Sequence, residues 1–264
     1  MTGLPPEFDL TGRVAIVTGG GSGIGRATAL LLAERGADVV VAGRRTEPLD
    51  RTASDIHAIG RQGLAVSTDV RKPEEARAMV AEVAERLGRI DILINNAGGA
   101  HGHIALAKMD PGKWDRDVQL NLSAAMYCSQ AALPQLKASR GCVVNISSLA
   151  GMHGTQGVAA YSAAKAGLQM FTRVSSAEWG PAGVRVNCVA PGMTATEAAR
   201  EGWEMRDYDA MAACRHFPLR RYGEMREVAQ MIVFFASDAA SYITGETVAV
   251  GGGPQIGGMI SVDE

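Results

Sequence analysis

Short β-branched runs alternate with amphipathic stretches along most of the chain. Residues 14–18, Val-Ala-Ile-Val-Thr, form a continuous apolar run, the pattern of a strand buried on both faces. Glycines follow, then apolar positions at helical spacing over 24–35 and a second β-branched run over 38–42. The cycle predicts a strand over 64–67, a helix over 73–87 and a strand over 90–95. Pro73 suits the first helical turn and Gly88 the position just past the last. A long helical region over 114–136, a strand over 142–147, a helix over 159–179 and a strand over 184–190 come next. A helix over 225–237 and a strand over 247–250 close the pattern. Strands separated by helices imply a parallel sheet with right-handed crossovers and both faces covered. One stretch breaks the rhythm. Over 193–223 there is no clear strand, and Met193, Trp203, Met205, Tyr208, Met211 and Phe217 mix with many charges. A connection that long inside one compact unit is expected to be a lid over a substrate.

Composition narrows the class. With 264 residues, 47% hydrophobic and 20% charged, the chain can bury a large core and is not disordered. A formal net charge of -2 gives no global basic field for nucleic acid or an anionic membrane. No apolar run approaches the length of a transmembrane helix, and the first residues lack a secretory pattern. Cys128, Cys142, Cys188 and Cys214 lie far apart without zinc-ligand spacing, so reduced packed thiols, a cytoplasmic location and no metal site are expected.

The first chemical signal is Thr18-Gly19-Gly20-Gly21-Ser22-Gly23-Ile24-Gly25, between a strand and a helix. Glycines there permit a tight turn and close backbone approach to a pyrophosphate, while the helix N-terminus offers unpaired N–H groups. No Lys-Ser/Thr pair follows, which disfavours a phosphoryl-transferring loop. The expected architecture is α/β: one domain over 1–264, a doubly wound, Rossmann-type sheet of about seven parallel strands flanked by helices. The spacing Thr-Gly-x-x-x-Gly-x-Gly is followed in order by Asp69-Val70, Asn95-Asn96-Ala97-Gly98, Asn121, Ser148, Tyr161-x-x-x-Lys165 and Pro191-Gly192. On these residues, over about positions 11–253, the chain resembles the classical short-chain dehydrogenase/reductase (SDR) family.

The resemblance implies an oxidoreductase that interconverts a secondary alcohol and a ketone by hydride transfer with NAD(P), and a homotetramer or dimer. It places Asn121, Ser148, Tyr161 and Lys165 in catalysis, with Asn121 holding a water that links Lys165 to solvent. It places Gly19, Ser22, Gly23 and Ile24 at the diphosphate, Asp69 and Val70 at the adenine, and Asn95 and Gly98 beside it. It also places Tyr161, Lys165, Pro191, Gly192 and Thr194 in cofactor binding, with Thr196 at the nicotinamide end.

The residues support that chemistry in their own terms. Tyr161 and Lys165 are four apart and share a helix face. A phenol with pKa near ~10 is a poor base, and a neighbouring ammonium is expected to stabilise its phenolate. Ser148 stands just past the predicted strand over 142–147, where open α/β sheets place ligands, and its hydroxyl suits a substrate oxygen. Ser147 is the neighbouring alternative. The second strand ends Val41-Ala42-Gly43-Arg44-Arg45, without the carboxylate that would bind a ribose 2′-OH. Arg44 therefore favours NADP(H), with NAD(H) as the alternative and Arg45 as second candidate. Some members of the family carry a basic residue inside the glycine turn, where this chain has Ser22.

His57, His101, His103, His153 and His216 fit no triad or metal pattern, although His101 and His153 flank strand ends. Apolar and sulfur-bearing residues over 152–156 and 193–217 suit a small-molecule ketone or secondary alcohol with a sizeable apolar body. The stretch Gly251-Gly252-Gly253-Pro254-Gln255 is similar to bacterial bile-acid hydroxysteroid dehydrogenases; an acyl-carrier-linked 3-oxoacyl group is the rival substrate. A catalytically silent dinucleotide sensor or scaffold on the same fold is the alternative of a different class, and predicts binding without turnover.

Overall fold

A computed structural model describes residues 5–100 and 102–253 of the chain. His101, Pro254 and Gln255, singled out above, lie outside the described residues. The strands are β1 (Val14–Thr18), β2 (Asp38–Gly43), β3 (Gly63–Ser67), β4 (Ile92–Asn95), β5 (Cys142–Ile146), β6 (Arg185–Pro191) and β7 (Thr247–Val250). They form one parallel sheet in the order β3-β2-β1-β4-β5-β6-β7. The helices are α1 (Gly23–Glu34), α2 (Thr46–Ala58), α3 (Pro73–Leu87), α4 (Pro111–Val118), α5 (Ala124–Ser139), α6 (Ala159–Trp179), α7 (Glu197–Glu204), α8 (Ala210–Ala213) and α9 (Met225–Ala236).

All of β1 is buried, as its unbroken apolar run requires. Because side chains alternate along a strand, Ala15 and Val17 pack in one layer with α1 and α9, while Val14 and Ile16 pack in the other with α3 and α5. Pro73 opens α3, and Gly88 ends it with φ 75°, as its sequence signals predict. Two features differ from expectation. Helix α2 carries no obvious periodic signal, yet it buries Leu49, Ala53 and Ile56 on one face. The region 114–136 is not one helix: α4 ends at Val118, and Gln119–Ser123 take a π turn before α5 begins. Such turns insert a residue and rotate the following face, and they recur at functional sites. Asn121 lies inside this one.

Strand order reverses between β1 and β4, so the loops that follow them diverge and leave a crevice at the carboxyl ends of the strands. The long excursion after β6 returns to its own base. Thr194 and Gly223 form an isolated parallel bridge, Gly223 N–H donates to Met193 O at 2.9 Å, and Ala195 N–H donates to Gly223 O at 2.9 Å. Helix α7 follows that neck and borders the crevice with Glu197, Ala198 and Glu201. Among the described residues, no helix is long and apolar enough to cross a membrane.

Candidate active site

The crevice holds a cleft of about 630 Å³. One end is built by the turn after β1. Gly19 and Gly23 have φ of 67° and 56°, in the left-handed region that favours glycine. A Cβ on Gly25 would stand 2.3 Å from Gly19 O and 2.4 Å from Asn96 Nδ2, so the start of α1 packs directly on the turn. Thr18 Oγ1 accepts the N–H groups of Asn96 and Ala97, both at 3.0 Å, which ties the ends of β1 and β4 together. The turn thus presents backbone to the cleft. Its fit for an anion is visible in the structure: Gly23 N–H donates to Glu197 Oε2 at 3.0 Å, a carboxylate oxygen standing where a phosphate oxygen would.

Of the expected cofactor contacts, Gly19, Ser22, Gly23, Ile24, Arg44 and Asp69 border the cleft. So do Val70, Gly98, Pro191, Gly192, Thr194 and Thr196. Asn95 does not. Strand alternation turns it inward, where its Nδ2 donates to Ser129 Oγ and Asn145 Oδ1, both at 2.9 Å, and Asn145 Nδ2 donates to Thr172 Oγ1 at 2.9 Å. This buried relay joins α5, β4, β5 and α6 behind the cleft, and Asn96 borders the cleft in place of its neighbour. Asp69 accepts the Arg71 guanidinium on both oxygens, at 2.9 and 2.5 Å. That pairing holds its carboxyl at about 2, with the charge of Arg44 a smaller contribution.

Ser148, Tyr161 and Lys165 border the other end. Ser147 Oγ donates to Lys165 O at 2.9 Å and accepts Gln169 Nε2 at 2.9 Å, so it is committed to holding α6 against the end of β5. That leaves Ser148, whose hydroxyl accepts Ala150 N–H at 3.1 Å and lies near the Tyr161 phenol. Burial raises the Tyr161 phenol, and the Ser148 hydroxyl opposes that rise only in part. Burial thus acts against the phenolate form of Tyr161. Lys165 Nζ stands 5.7 Å from the ring centroid and donates to Ile146 O at 2.7 Å. Burial also pushes this amine down to about 8.

The Asn121 side chain is engaged with neighbouring backbone. Its Oδ1 accepts Gly99 N–H at 2.9 Å, and its Nδ2 donates to Gly99 O and Asp117 O, both at 3.0 Å. The amide is occupied in fixing the Gly98–Gly99 backbone. A Cβ on Gly98 would stand 2.7 Å from Asn121 Oδ1 and 3.0 Å from Lys165 Nζ, so only glycine lets these groups converge. Gln169 and Glu197 were not read from the sequence; each acts through a partner distant along the chain.

Keeping Lys165 charged has a stability consequence. Its folded value of about 8 lies below the ordinary 10.5, so burial costs the charged amine roughly 3 kcal/mol. That cost is complete below pH 8 and disappears as pH rises toward 10.5, because the unfolded chain binds the extra proton in between. Lys165→Met is expected to raise Tm at pH 7 by a few degrees, with the gain shrinking above pH 8. Thermal melts across this range check it; an equal or lower Tm at pH 7 would count against it.

Sheet order, crevice and turn together define a Rossmann-type α/β protein with a cleft at the carboxyl ends of its strands. Residues 19–255 match a family model described as enoyl-(acyl carrier protein) reductase. The chain is 40% identical over 242 residues to cis-4-hydroxycyclohexanecarboxylate dehydrogenase of Sinomonas cyclohexanicum, covering 91% of this chain and 96% of that protein. It is 40% identical over 247 residues to a 3-oxoacyl-acyl-carrier-protein reductase of Synechocystis sp., covering 92% and 97%. A short-chain type dehydrogenase/reductase from Mycobacterium marinum superposes with a TM-score of 0.88 at 32% identity, covering 94% of this chain and 97% of that one. The chain belongs to the short-chain dehydrogenase/reductase family and is an oxidoreductase of that family.

Proposed function

We propose that the protein reduces a ketone to a secondary alcohol, or runs the reverse, with NADP(H) as preferred cofactor and Tyr161 as general acid/base. One observation carries this: the Ser148–Tyr161 pair and Lys165 share a cleft with a glycine turn that already accepts a carboxylate. The turn, Arg44, Asp69 and Val70 would hold the diphosphate and adenosine end; Gly98, Gly192, Thr194 and Thr196 would hold the nicotinamide end. Bound there, the nicotinamide supplies or takes the hydride.

The residues manage the oxygen. Ser148 donates to the substrate oxygen and stabilises charge as the carbon changes geometry. Tyr161, held protonated by burial, gives its proton to that oxygen in reduction. Lys165 stands over the Tyr161 ring, and its ammonium stabilises the phenolate that remains once the proton has gone to the substrate oxygen. Asn121 acts by fixing the backbone that borders Lys165.

A flanking hollow lined by His103, Ala105, Leu106, Gln156 and Ala159 suits a substrate with an apolar body. The excursion over 193–223 serves as lid. The names of the relatives point to ring alcohols and to acyl-carrier-linked 3-oxo groups. Four buried free cysteines fit a reducing, cytoplasmic setting. The outer face of α6, with Met170 and Val174 exposed, fits assembly into a homotetramer or dimer. The test is NADPH consumption with a panel of cyclic ketones, hydroxysteroid-type ketones and 3-oxoacyl thioesters. Turnover on one class is the expected result. NADPH binding without turnover on any member would replace this reading with the silent sensor.

A further inference from the structure

Helix α7 brings a carboxylate to the glycine turn. Glu197 Oε2 accepts Gly23 N–H at 3.0 Å, across 174 residues of sequence. A Cβ on Gly23 would stand 3.5 Å from Thr196 Cγ2 and 3.9 Å from Glu197 Oε2, so residues 196 and 197 rest on the turn itself. Ser22, the N-cap of α1, makes no side-chain capping bond. The first amide of α1 therefore finds its acceptor in another element. An acceptor with negative charge at the positive end of a helix is what a capping carboxylate provides, and also what a phosphate provides.

The two cannot share the position. A diphosphate bound at the turn would compete for the Gly23 amide and meet an ionised carboxylate beside it. Glu197 is exposed and opens α7 only a short step beyond the neck formed by Thr194 and Gly223. Thr196 Oγ1 accepts Ala199 N–H at 3.1 Å, which binds the carboxylate's backbone to the first turn of α7. Displacing the carboxylate therefore bears on the helix that roofs this end of the cleft.

We infer that Glu197 is an affinity-determining residue of the cofactor site: it occupies the diphosphate position from within the chain, and its release couples dinucleotide binding to α7. This rests on the cofactor reading above. Glu201, one helical turn further on, borders the same cleft without a hydrogen bond to the turn, and so reports the effect of negative charge alone.

The test is NADPH affinity, followed by fluorescence, for the intact protein, Glu197→Gln and Glu201→Gln. Glu197→Gln is expected to lower the NADPH Kd about fivefold to tenfold, and Glu201→Gln less than about twofold. Adenosine 2′-monophosphate keeps the adenine and the ribose phosphate but lacks the diphosphate, so its Kd is expected to be unchanged in Glu197→Gln. Unchanged or weaker NADPH binding by Glu197→Gln overturns the inference. So does tightening that Glu201→Gln or adenosine 2′-monophosphate shares, since that would be a general charge effect. If the unmodified protein binds no dinucleotide, the cofactor reading falls first and this inference with it.

Discussion

Replacing Tyr161 by phenylalanine is expected to lower ketone reduction by about 10²–10⁴-fold in kcat/KM while NADPH still binds. The variant keeps the ring that packs beside Lys165 and loses only the hydroxyl near Ser148. Structural damage is thereby kept small, and a loss of turnover reports proton transfer. The pH dependence carries the same information. Burial raises the Tyr161 phenol above its ordinary value of 10.0, so the group stays protonated through neutral pH. Reduction, which needs the proton, is expected to stay level from pH 6 to 7 and to fall as pH passes about 8, where Lys165 loses its charge. Alcohol oxidation, which needs the phenolate, is expected to rise with pH over the same range. Activity of Tyr161→Phe within about tenfold of the unmodified protein would remove Tyr161 from the mechanism.

The strands were legible because a parallel sheet covered on both faces favours short runs rich in buried β-branched residues, and Val14–Thr18 and Cys142–Ile146 are such runs. The turn residues were legible because close backbone packing tolerates only glycine at Gly25 and Gly98. What failed to show was anything set by parity or by distance along the chain. Asn95 and Asn96 are adjacent amides, and only the pairing of β4 with β5 decides which faces the buried relay. The break at Gln119–Ser123 depends on a π turn that composition does not announce. Helix α2, Thr-Glu-Pro-Leu-Asp-Arg-Thr-Ala-Ser-Asp-Ile-His-Ala, spaces few strong apolar residues and is held by tertiary packing of Leu49, Ala53 and Ile56. Glu197 reads as an ordinary first-turn acid of α7, and only the fold brings it to Gly23.

Arg44→Ser is expected to weaken NADPH binding about 10–100-fold and to leave NADH binding nearly unchanged. Arg44 follows the last residue of β2, borders the cleft, and stands close enough to Asp69 to help hold that carboxyl ionised. No carboxylate ends β2, so nothing there repels a ribose 2′-phosphate. Asp69 carries a negative charge near Arg44, and Arg71 already pairs with both of its oxygens. Arg44 is thus left with its guanidinium available to a phosphate. Arg45 borders the cleft too, but it stands at the N-cap of α2, where a cation is unfavourably placed against the helix dipole. Arg45→Ser is accordingly expected to change the NADPH Kd by less than about threefold. Because Arg44 is exposed, the preference for NADPH should narrow as salt is raised. Equal weakening of NADPH and NADH by Arg44→Ser would mean that the arginine serves the adenine end in general. A tighter NADH than NADPH in the unmodified protein would remove the 2′-phosphate argument altogether and point to oxidation of an alcohol with NAD.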